Sequence, residues 1–151
     1  MKHSRMIVTF SLLLFAGLAV NAQTIQKITA DIPFAFNVGS TSLNAGQYNL
    51  GNSGLPSRVV LVRSAKMHQN AAVLTMPKYA TKSPTETTLV FHRYRGEGGE
   101  DKYFLTQIWV QGNNTGTELP MSRTEKETAK KAAKRDMITL VVPSPGNRPA
   151  D

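Results

Sequence analysis

The chain has 151 residues and a formal charge of +8, from 18 lysines and arginines against 10 aspartates and glutamates. There is no cysteine, which excludes disulfides, thiolate metal sites and a cysteine nucleophile together. At 40% apolar and 19% charged, the composition is that of one folded domain, not of a disordered or fibrous chain.

Residues 1–22 follow the plan of a secretory signal peptide. Lys2, His3 and Arg5 form a basic start, Met6 to Val20 carries no charge, and Leu12-Leu13-Leu14-Phe15 is its apolar centre. Val20-Asn21-Ala22 then offers small residues for cleavage. The apolar run is shorter than the roughly 20 residues a membrane-spanning helix needs. The alternative is an uncleaved N-terminal anchor. No cysteine follows, so a lipoprotein anchor is excluded. Without this segment 129 residues and a charge of +6 remain. Export without cysteine points to a bacterial envelope, periplasmic or extracellular. Asn113-Asn114-Thr115 matches a glycosylation sequon, which in a bacterium reads as a plain loop.

Residues 23–142 read as a β domain. Ile28, Ala30, Ile32, Phe34, Phe36 and Val38 alternate with Thr29, Asp31, Pro33, Ala35 and Asn37. Period two predicts a half-buried strand over 28–38. Pro33 cannot donate to a ladder, so this strand lies at an edge or is broken by a bulge. Gly39-Ser40-Thr41 and Asn44-Ala45-Gly46 are turn signals. Further strands are predicted at 47–50, 59–63, 71–76 (closed by Pro77), 87–94 and 102–110. The glycines between 96 and 99 join the last two as a hairpin. Ser122 followed by Glu125 is a capping box, and no Gly or Pro interrupts 124–135. A helix is therefore predicted over about 122–135, followed by a strand at 137–142. Pro143, Pro145, Gly146 and Pro149 mark a flexible tail over 143–151. The expected fold is mainly β, a single sandwich or barrel of about seven strands with one C-terminal helix.

Three stretches carry a resemblance. Ile32-Pro33-Phe34-Ala35-Phe36-Asn37-Val38-Gly39 is followed by Leu43-Asn44-Ala45-Gly46-Gln47-Tyr48. Leu89-Val90-Phe91-His92-Arg93-Tyr94 is followed by Tyr103-Phe104-Leu105-Thr106-Gln107-Ile108-Trp109, and then by Glu118-Leu119-Pro120-Met121-Ser122-Arg123. Together they resemble an uncharacterised family of small exported β-domain proteins of the acidobacterial type. Asn44 stands where that family usually has Pro, and Gly96 to Asp101 lengthens the hairpin loop. The resemblance implies an exported β domain and carries no catalytic residues over.

The candidate chemistry is sparse. After the leader, the only histidines are His68 and His92, with no further ligand at zinc spacing beside either. Glu97, Glu100 and Asp101 lack the regular spacing of a calcium loop. Ser53 lies between glycines but outside a G-x-S-x-G elbow. Glu86, Glu97, Glu100, Asp101 and Glu118 fall in predicted loops. The one concentrated charge is the helix. On it Arg123, Lys126, Lys130 and Lys134 form a stripe, with Met121, Thr128, Ala129 and Ala132 opposite. Such a stripe suits an anionic partner, namely lipopolysaccharide, an acidic glycan, a lipid head group or extracellular nucleic acid, and another envelope protein is the remaining partner class. Tyr103 and Trp109, counted onto one strand face, suit stacking on a sugar ring, as does Tyr94. The expectation is a non-enzymatic binding or structural domain of the envelope, with no metal or cofactor. The alternative is a hydrolase of envelope polymers acting through loop carboxylates.

Overall fold

The computed structural model describes residues 27–52 and 58–143. The signal-like segment, Ser53 and the tail after Pro143 lie outside these residues. Among the described residues are eleven strands in two sheets and one helix, arranged as a sandwich and not as a closed barrel.

The long alternating run opens the fold, but it is two strands in different sheets. β1 (Ile28–Ile32) pairs antiparallel with β4 (Gly46–Asn52), and β2 (Phe36–Val38) pairs with β3 (Thr41–Leu43) and, in parallel, with β9 (Asp101–Trp109). The break falls at Pro33-Phe34-Ala35, because proline lacks the N–H that a continuous ladder would need. The chain turns the corner of the sandwich there. The inward side chains are kept in phase, with Ala30, Ile32, Phe36 and Val38 all buried.

β5 (Val59–Ser64) and β6 (Asn70–Leu74) complete the first sheet, in the order β1-β4-β5-β6. The strand expected over 71–76 is likewise two. At Thr75 the chain crosses to β7 (Met76–Tyr79), an edge of the second sheet. Pro77 lies inside β7 and does not close it. Ala80 N donates to Asn114 O at 2.8 Å, so by the alternation of antiparallel pairs Pro77 opposes Thr117 without a ladder bond. Its missing N–H therefore sits on the free edge, which blunts pairing with another chain.

The second sheet runs β11-β8-β9-β10-β7, with β8 at Thr87–Arg95, β10 at Thr115–Glu118 and β11 at Lys134–Val142. Between β10 and β11 lies α1 (Arg123–Lys131). The helix is shorter than its sequence suggests. Ala132 is extended, Ala133 N donates to Arg95 O at 3.0 Å, and β11 pairs with β8 in an unbroken nine-residue register from Lys134 to Val142. That ladder outweighs the helix propensity of the two alanines.

The core lies between the sheets. Ile32, Tyr48, Leu50 and Val62 face Leu89, Phe91, Leu105 and Val142, and Phe36 and Val38 close the corner. Phe34 stacks on Tyr103 at 4.1 Å and meets Phe91 edge-on at 5.2 Å. At the polar end of the same face, Arg93 pairs with Asp136 at 2.8 Å, and Arg95 and Lys134 flank them with Asp101.

Candidate functional site

The site lies on the outer face of the second sheet, beneath and beside α1. Leu89 and Phe91 point into the core, so Val90, His92 and Tyr94 point outward by the two-residue period of a strand. Phe104 of β9 joins them, with its ring 5.7 Å from that of Tyr94. This outer cluster is buried, Tyr94 at 1% exposure and Phe104 at 2%.

The helix starts as expected. Ser122 is extended and its Oγ accepts from Glu125 N at 3.1 Å. The other half of the capping box does not form. Glu125 occupies the helix side that faces the sheet, where its carboxylate accepts from Tyr94 Oη–H at 3.0 Å and meets His92 Nδ1 at 2.8 Å. An ionised carboxylate only accepts, so Nδ1 carries the proton in this pair. Glu125 is the one buried charged residue among those described, at 3% exposure. Two donors and the first helical turn offset the cost of its burial. Burial first, and then Glu125, holds the Tyr94 phenol above the ordinary tyrosine range, while Arg135 on β11 pulls the other way.

A groove of about 450 Å³ opens beside this anchor, between α1 and the β8–β9 hairpin. Gly96, Gly98, Glu100 and Lys102 form the hairpin wall, Thr124, Glu127, Thr128 and Lys131 the helix wall, and Tyr94 lies at its base. The hairpin is fixed by Gly96 N to Glu100 O and Gly99 N to Gly96 O, both 3.1 Å.

The four-cation stripe is rearranged. Arg123 is exposed but bound to Glu127 at 3.0 Å. Lys134 is not on the helix; it belongs to β11 and pairs with Asp136 at 3.2 Å. Lys126 and Lys130 remain exposed on α1 and enter no ion pair among the described residues. Thr128, Ala129 and Ala132 are half-buried, as the opposite face requires, and Met121 is more open at 36% exposure.

Tyr103 and Trp109 do not share a face. β9 carries one extra residue, Thr106, because Phe91 opposes Leu105 while its neighbour Val90 opposes Gln107. Past this bulge the alternation inverts. Tyr103 points inward onto Phe34, while Trp109 points outward across Gly116 and donates its Nε1–H to Gln107 at 3.0 Å. Tyr94 has no exposed ring face. The sugar-stacking pair is therefore not assembled.

Of the carboxylates expected in loops, two lie in strands: Asp101 opens β9 and sits among Arg93 and Arg95, and Glu118 ends β10 and pairs with Lys78 at 2.6 Å. Glu86, Glu97 and Glu100 are exposed. His68 is exposed in a left-handed turn (φ 53°) between β5 and β6. No group of three or more metal-ligating side chains occurs among the described residues, and none of their helices is long and apolar enough to cross a membrane. Nothing hydroxylic or acidic among them bonds the second ring nitrogen of His92. The carboxylate–histidine pair thus orients the imidazole without a nucleophile beside it.

In the sequence Glu125 has the spacing of a cap, yet its carboxylate serves the sheet. A carboxylate on the sheet-facing side of a helix, with a histidine and a tyrosine two apart on one strand, was the available clue. Comparison of the chain with known protein families, curated proteins and solved structures gives no match in any of the three.

Proposed function

We propose that this chain is an exported, non-enzymatic domain of the bacterial envelope, periplasmic or extracellular, whose α1 face binds an anionic polymer such as lipopolysaccharide or an acidic glycan. One observation carries the reading: Lys126 and Lys130 stand one turn apart, exposed and unpaired among the described residues, on a helix locked to the sheet by Glu125. Two exposed cations one turn apart on an anchored helix present a fixed spacing of charge to a polyanion. Arg123 joins them by leaving Glu127, since an exposed i,i+4 pair is worth only about 0.3–0.5 kcal/mol. The leader-like first 22 residues and the resemblance to small exported β proteins support export.

Retention on heparin and on immobilised lipopolysaccharide, at low and high salt, tests this. The Lys126→Gln/Lys130→Gln variant is expected to elute at clearly lower salt than the parent. Equal elution removes the helix from the account.

The hydrolase alternative has one supporting observation, that Glu100 and Glu127 line the same groove. A general acid of that kind needs a carboxyl shielded from water. Both are exposed and Glu127 is held by Arg123, which favours binding over hydrolysis. Release of reducing ends from envelope glycans, lost in Glu100→Gln, would reverse that preference.

A further inference from the structure

We propose that the groove between α1 and the β8–β9 hairpin is a separate binding site, one that takes a short acidic peptide by its charges. It does not depend on the polyanion reading, because Lys126 and Lys130 are not among its lining residues.

The charges in the groove carry the argument. Lys102, Lys131 and Glu100 line it, and none of the three enters an ion pair with a described residue. Their neighbours are paired: Asp101 with Arg95, Glu127 with Arg123 and Asp136 with Lys134. Glu127 also lines the groove, but Arg123 neutralises it; the two unpaired ammonium groups and one unpaired carboxylate then define the complement, a molecule with two carboxylates and one ammonium. A free peptide with one acidic side chain is such a molecule.

Shape and chemistry agree. The groove, at about 450 Å³, is in the size range of small-ligand sites. Gly96 and Gly98 form its lip, and no atom lies within 4 Å of the position a side chain at Gly98 would take, so peptide backbone can approach closely. The base offers no open aromatic face, because Tyr94 is 1% exposed, which disfavours a neutral sugar ring. Both walls are preorganised, one by the hairpin bonds and one by the Glu125 anchor.

The test is an amide NMR titration of the full chain with the tripeptide Ala-Ala-Glu. Saturable shifts are expected at Gly96, Gly98, Thr124 and Thr128. Lys102→Gln and Lys131→Gln should each bind about tenfold more weakly, as should N-acetylated peptide, each losing one charge-assisted contact, and the Lys102→Gln/Lys131→Gln variant should bind more weakly than either. Lys126→Gln/Lys130→Gln should bind normally, which separates this site from the polyanion face. These side chains have no ion-pair partners among the described residues, so the remaining amide spectrum should be unchanged and reports folding directly. Absence of saturable groove shifts overturns the proposal. So does equal affinity for Ala-Ala-Lys or maltotriose, or undiminished binding by the double lysine variant.

Discussion

Replacing Glu125 by alanine removes one acceptor from two donors. Tyr94 is 1% exposed, so its hydroxyl proton would be left in the interior without an acceptor, with the Arg135 guanidinium, itself only a donor, beside it. The His92 side chain is 19% exposed, so water can recover part of its bond. Taking a full penalty for the first and a partial one for the second, the expected loss is about 2–4 kcal/mol. That is a large share of the roughly 5–15 kcal/mol that holds a domain folded. Glu125→Gln keeps the shape, and because both donors meet the one oxygen Oε1 its amide oxygen can still accept from both, so only the charge is lost and about 1–2 kcal/mol is expected. Urea unfolding followed by Trp109 fluorescence measures both. Tyr94→Phe makes the reasoning sharper. In the parent it removes a donor from a buried carboxylate and should destabilise. In the Glu125→Ala background it removes an orphaned hydroxyl and should cost nothing or stabilise. Equal cost of Tyr94→Phe in both backgrounds would refute the anchor, as would a Glu125→Ala loss below about 1 kcal/mol.

A Cβ at Gly116 would lie 2.5 Å from the Trp109 ring. Gly116→Ala should therefore cost about 1–3 kcal/mol and shift Trp109 emission to the red as the ring is displaced, and an unchanged spectrum would contradict its seating. Arg93 first, and then Lys134, holds the Asp136 carboxyl below the ordinary carboxylate range. A depressed value means that the stabilisation is present at neutral pH and is lost as pH falls through the folded value, below about pH 4. The urea midpoint of Asp136→Asn should then fall less steeply in acid than that of the parent.

Local chemistry made much of the fold legible. Alternation placed the buried residues between Ile28 and Val38, Ser122 marked the helix start, and the glycines after Arg95 marked the hairpin. Other features were not legible, for long-range reasons that three of them show. Period two is the same whether a strand continues or crosses to the facing sheet, so Pro33 could be read as an edge or bulge when it is a corner. The residues after Lys131 favour helix locally, yet the bonds to β8 draw them into β11. Both directions open to the Glu125 side chain, back to the cap or inward to the sheet, satisfy a carboxylate. Only the strand that brings His92 and Tyr94 under the helix decides between them.

The bulge at Thr106 shows how one such decision shapes the site. Unbroken alternation after Leu105 would turn Gln107 into the core and Ile108 out to water. Burying an amide without partners costs more than interrupting the ladder by one residue. The interruption is itself satisfied, because Thr106 Oγ–H donates to Val90 O at 3.0 Å and Thr106 O accepts from Leu119 N at 2.8 Å. Its consequence is a divided outer face. Before the bulge, β9 sends Phe104 under α1, beside Tyr94, and Lys102 to the groove. After it, β9 sends Gln107 and Trp109 outward across β10. The helix-covered half, with its groove and its buried carboxylate, ends where the extra residue is inserted. Counting along the sequence therefore pairs Tyr103 with Trp109, while the folded sheet puts one in the core and the other on the far side.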